Sequence, residues 1–219
     1  MFITSQPFPG LVQFDFDSVA QLGKALIRPQ EFAESPKFQG RIFTTSELKR
    51  HAKSAGLLAP YRSAYGVNIP GSYLDLFFSN FPSRTPAELA IKERLDSLGR
   101  ETWDSKYYVI GASDGYTKHE LAHALFYLDP AYKTAALGIL ARLPFDAKHG
   151  IKKTLLGWGI YAPNVIEDEA CAYLATSSVS CLSGTFTSLK FDADVRFGVL
   201  EMRLLLLNAL KAIGWKASA

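Results

Sequence analysis

Cysteine, methionine and histidine are all scarce in this chain, at two, two and four residues of 219. With only Cys171 and Cys181, neither a disulfide-stapled scaffold nor a cysteine-rich metal cluster can be built. In a chain without a recognisable export signal, two thiols are expected to stay reduced. A long uninterrupted apolar run is missing too. The longest candidate, Val199 to Ile213, is broken by Glu201, Arg203, Asn208 and Lys211, so it reads as an amphipathic helix rather than a membrane span. The opening stretch MFITSQPFPGLVQFDFDSV lacks the basic start and continuous apolar segment of a signal peptide. Nor is there an excess of one charge. The net charge is +3 and the basic residues are dispersed, which argues against a nucleic-acid surface. These absences lead to the expectation of a cytoplasmic protein with neither membrane nor nucleic acid as partner. They do not bear on oligomeric state.

What is present suits an ordinary core. At 48% hydrophobic and 21% charged, residues 1–219 have enough apolar material for a single domain, expected as two lobes around a cleft. Residues 1–111 would supply strands and helices, and residues 112–219 a helical, metal-binding part. Strands are predicted at 11–16, 41–44, 65–69 and 106–111, the last richest in aromatic and β-branched residues. Helices are predicted at 18–27, 45–55, 72–79, 86–98, 116–128, 131–142, 146–156, 164–176 and 192–213, with 30–40 and 176–187 left as turns. The clearest helix start is Thr85-Pro86-Ala87-Glu88, a threonine cap with proline at the first helical position and glutamate three residues after the cap. Short strands early and helices later make an α+β class.

The chemistry concentrates in His119-Glu120-Leu121-Ala122-His123, an H-E-x-x-H sequence within a predicted helix. Residues four apart share a helix face, so His119 and His123 can present two imidazole nitrogens to one ion. Glu120 lies about 100° round from His119, within reach of a water beside that ion. Tyr116 and Tyr127 fall on the same side, while Leu121, Ala124, Leu125 and Leu128 form the opposite, core-facing side. Asp114 or Thr117 can cap the start, and Asp129-Pro130 ends the helix.

Catalytic zinc usually takes three protein ligands. The third candidate is Glu169, on a later predicted helix, with Tyr173 one turn on along the same face. Glu167 lies near the opposite side. Asp129 could serve only if the chain turned back after His123, and Phe126 stands where such sites place glycine. His149 carries no ligand spacing, and His51 sits on a basic helix as a solvated residue.

At His119, Glu120 and His123, with Glu169 in third place, the chain resembles the zincin metallopeptidases of the gluzincin pattern. Glu169-Ala170-Cys171-Ala172-Tyr173-Leu174 is similar to the E-x-x-A-(Y/F)-L stretches of compact intracellular members, and the likeness spans about Tyr107 to Ser177. It implies a zincin-like fold with a small N-terminal sheet and a helix-rich C-terminal half. It also implies Zn2+ on His119, His123 and Glu169, and cleavage of peptide or protein amide bonds by a metal-activated water. Glu120 would be the general base and Tyr173 the oxyanion donor, ahead of Tyr127 and Tyr116. One departure is plain: many gluzincins orient a histidine with an acid four residues after the ligand glutamate, and that position is Tyr173. A metal-dependent small-molecule amidase, or a non-catalytic binding or regulatory protein of zincin fold, would use the same motif.

Overall fold

The computed structural model describes residues 2–56, 66–99, 106–113, 117–187 and 190–215. The class is α+β: a four-stranded mixed sheet with, among the described residues, ten α-helices. The chain divides into two compact units, Met1–Glu120 and Leu121–Ala219.

The first unit holds the whole sheet: β1 (Phe2–Ser5), β2 (Leu11–Phe16), β3 (Gly66–Pro70) and β4 (Tyr108–Ala112), in the order β1-β2-β4-β3. The two central strands are parallel, with Leu11 opposite Tyr108 and Asp15 opposite Ala112. Both edges are antiparallel; Phe2 faces Phe16 and Asn68 faces Ile110. β4 is buried at every position, which is why its near-continuous apolar run marks it so clearly in the sequence. β1 was not expected. It is only four residues long and alternately exposed, a short edge with little periodicity to read. The expected strand at Arg41–Thr44 is not formed. Its last residue instead caps α2 (Thr45–Ser54): the Thr44 hydroxyl accepts from Glu47 N, and the Glu47 carboxylate accepts from Thr44 N. Of the expected strand at 65–69, Tyr65 lies outside the described residues.

α1 runs from Val19 to Glu34, past the expected stop near Ile27 and through Pro29. Proline deletes one helical hydrogen bond, yet the apolar face continues beyond it. Phe32 packs edge-on against Tyr73, Phe77 and Phe81, so tertiary burial outweighs the local break. Two of those rings sit on α3 (Gly71–Asn80) and Phe81 caps its end. α4 (Pro86–Ser97) starts as expected, with Thr85 and Glu88 forming both halves of a capping box. Glu88 also reaches Arg28 of α1 at 3.0 Å, in a pair almost closed to solvent.

α5 (Thr117–Leu128) carries the boundary between the units within one continuous helix. In the second unit α6 (Pro130–Arg142), α7 (Phe145–Gly157) and α10 (Ala193–Ala212) all pack on α8 (Ile166–Thr176). Small buried residues on α8, among them Ala170, Ala172 and Ala175, allow that crowding. α9 (Val179–Thr185) falls where turns were expected; Ser178 caps it, and Leu182 and Phe186 bury its apolar side. Among the described residues, no helix is long and apolar enough to cross a membrane.

Candidate metal centre

α5 is not the half-exposed helix that its sequence predicts. Leu121, Ala124 and Leu125 are buried as expected, but Glu120 and His123 on the polar side are buried too, at 4% and 1% exposure. A carboxylate and an imidazole closed off in this way need partners, because desolvation of an uncompensated polar group costs several kcal/mol or roughly that order.

His119, His123 and Glu169 each offer one ligand atom, and the three atoms lie within 4.8 Å of one another. His123 Nε2 stands 3.7 Å from Glu169 Oε1. A tetrahedral zinc ion with bonds of about 2.0–2.1 Å holds neighbouring ligand atoms roughly 3.3 Å apart. The His123–Glu169 pair is therefore a few tenths of an ångström wide of that ideal, and the whole group lies within 4.8 Å. Two imidazoles and a buried carboxylate also form the donor chemistry that zinc favours.

The other nitrogen of His123 answers the departure noted in the sequence. Asp168 Oδ1 lies 2.9 Å from His123 Nδ1. A carboxylate on that side favours the proton on Nδ1 and leaves Nε2 as the electron-pair donor, the arrangement in which outer carboxylates orient metal-binding histidines. Adjacent residues on a helix project about 100° apart, so Asp168 and Glu169 can take opposite edges of one imidazole ring. Asp168 does not stand out in the sequence as a site residue. Its signal was its place directly before Glu169, which does not specify a partner.

Glu120 is set from the sheet. Its Oε2 accepts from Asn68 Nδ2 at 3.1 Å, while Asn68 Oδ1 accepts from the Tyr108 hydroxyl at 2.5 Å. The tyrosine proton fixes which end of the Asn68 amide faces Glu120. Gly66, also on β3, supplies the space: a Cβ there would come within 2.0 Å of Glu120 Oε1. Asn68, Tyr108 and Gly66 are three positions around Glu120 that sequence reasoning did not single out. Only pairing of β3 with β4 brings them to α5, and no local spacing encodes that.

The remaining candidates have these surroundings. Tyr173 is half-buried, its hydroxyl 3.5 Å from that of Tyr161 and its ring edge-on to Trp158 and Phe186. Tyr127 is half-buried on α5, and Tyr116 and the cap candidate Asp114 lie outside the described residues. Glu167 is exposed. Asp129 caps α6, accepting from Ala131 N and Tyr132 N. His149 is exposed and stacks on Phe145. His51 is not simply solvated: its Nδ1 lies 3.3 Å from Lys37 Nζ and its ring meets Phe38 edge-on. Burial first, and then the Lys37 charge, holds its pKa below the ordinary histidine value.

Two buried groups, Cys171 on α8 and Tyr132 on α6, are held neutral. Burial, then the charges of Asp168 and Glu167, pushes the Cys171 thiol far above its ordinary range. Burial likewise raises the Tyr132 hydroxyl, with the Asp168 charge adding to it. Cys171 is thus packing material within the helix. Comparison with family models, with curated proteins and with solved structures gives no match for this chain.

Proposed function

We propose that this chain is a zinc-dependent hydrolase of peptide amide bonds, of zincin type. The observation that carries the reading is the group of half-buried His119 with buried His123 and Glu169, with Glu120 adjacent on the same helix and held by Asn68. His119, His123 and Glu169 would hold the ion, and a divalent ion held there would supply the Lewis acidity that activates water and polarises a carbonyl at neutral pH.

The chain's own residues then have separate duties. Glu120 takes the proton of the attacking water and returns it to the leaving amine, the work of a positioned general base and acid. Asn68 keeps the Glu120 carboxylate in one orientation, and Asp168 keeps His123 in one tautomer. Tyr173 is the proposed donor to the developing oxyanion, with Tyr161 beside it.

The test is Glu120→Gln, a near-isosteric change that keeps the Asn68 contact possible. Its expected result is unchanged zinc content with at least a hundredfold loss of hydrolysis of a peptide library, in line with general-base contributions of about 10²–10⁴. Hydrolysis at the wild-type rate would remove Glu120 from the reaction and with it this reading. Cleavage confined to small amides would move the substrate class to a small-molecule amidase.

A further inference from the structure

A second site lies in the first unit, in residues that the proposed hydrolysis does not use. α1, α2 and α4 enclose a groove of about 970 Å³, at the upper end of the roughly 300–1,000 Å³ typical of small-molecule pockets. Its walls are apolar, with Val19 and Ile27 on α1 and Leu48 on α2. Its floor is fixed. Arg28 Nε lies 3.0 Å from Glu88, and the same guanidinium donates to Thr45 Oγ1 and to the Ser83 carbonyl. Those bonds tie the three enclosing helices together and resist collapse of the groove.

Gly23 supplies an independent sign. It sits inside α1, where glycine costs about 1 kcal/mol relative to alanine. Its φ is not positive, and a Cβ built on it meets nothing within 4 Å. Neither backbone conformation nor packing requires glycine there. A side chain at that position would fill the groove, and the groove is what its absence leaves open.

The charge is one-sided. Lys24, Lys49 and Lys53 stand exposed along the lining, while the lining carboxylate, Glu88, is already held by Arg28 and by Thr85 N. We propose that this groove binds a long-chain fatty acid, with the acyl chain along the apolar walls and the carboxylate against the three lysines. An apolar cavity with a few cations at its rim matches an apolar body with a single anionic end, and lysine meets such a carboxylate as a point charge. The inference stands apart from the hydrolase reading and survives its failure.

The experiment is calorimetric titration of the full chain with laurate, kept below its micelle concentration. Saturable binding of one laurate per chain is expected. Gly23→Leu, which gains helix propensity and retains the fold by circular dichroism, should lose at least tenfold in affinity by filling the groove. Combined replacement of Lys24, Lys49 and Lys53 by glutamine should weaken laurate about tenfold while leaving dodecanol binding unchanged. Absence of saturable binding would overturn the proposal, as would a folded Gly23→Leu protein that binds laurate as the wild type does. A concentration-dependent dimer abolished by Gly23→Leu would assign the groove to a second copy of the chain and also overturn it.

Discussion

Two side chains beside the candidate site, Asp168 and Asn68, were hidden from the sequence. Asp168 is the sharper case. If its carboxylate orients His123, Asp168→Asn should weaken zinc affinity by about 10–100-fold, the usual effect of removing an outer-shell partner. Glu167→Ala, one residue away and exposed, should leave affinity unchanged in the same chelator titration. Equal losses in both variants would reduce Asp168 to a general charge effect. Asn68→Ala should behave differently, lowering kcat at constant zinc content, because Asn68 touches Glu120 and not a proposed ligand. The cysteines offer a check that needs no activity. Cys171 is buried, with its thiol held protonated, whereas Cys181 is exposed. A native thiol assay at pH 8 should therefore count one rapidly reacting thiol, and the denatured chain should show two.

At the scale of elements, the sequence was most legible where one short segment carries its own signal. The Thr85 capping box, the β4 strand and the H-E-x-x-H helix all belong to that kind. It was least legible where a distant partner decides. α1 crosses Pro29 because Phe32 has three rings to pack against, and those rings lie some forty or more positions along the chain. Arg41–Thr44 has strand-like composition, but no ladder forms there and Thr44 serves the next helix. The same division holds in the site. His119, Glu120, His123 and Glu169 follow from helical spacing and the resemblance, whereas Asn68 and Tyr108 depend on strand pairing. The Arg28–Glu88 pair gives an element-scale prediction. It joins α1 to α4 in a nearly solvent-free setting, where burial lowers the arginine pKa and raises the glutamate pKa, disfavouring both charged forms. Removing one partner strands the other, so Glu88→Ala should destabilise the fold by about 3–5 kcal/mol in urea unfolding. Arg28→Met combined with Glu88→Leu should recover much of that loss, since an apolar pair of similar volume needs no compensation.

For the molecule as a whole, a divalent ion on His119, His123 and Glu169 would couple metal content to folding stability. Glu120 and Glu169 are both nearly closed to solvent, Asp168 is partly so, and the two imidazoles His119 and His123 stand among them. Binding a divalent ion to the folded state alone would stabilise the fold by mass action, about 2.7 kcal/mol at a hundredfold excess over Kd. Thermal unfolding should therefore rise with added zinc and fall with chelator. The most direct measurement is the zinc content of the protein purified without chelator, set beside His123→Ala and Glu169→Ala. One equivalent in the wild type, lost in both variants while their helical circular dichroism persists, is the result this account predicts. No bound zinc, or zinc retained in full by the two variants, would contradict it.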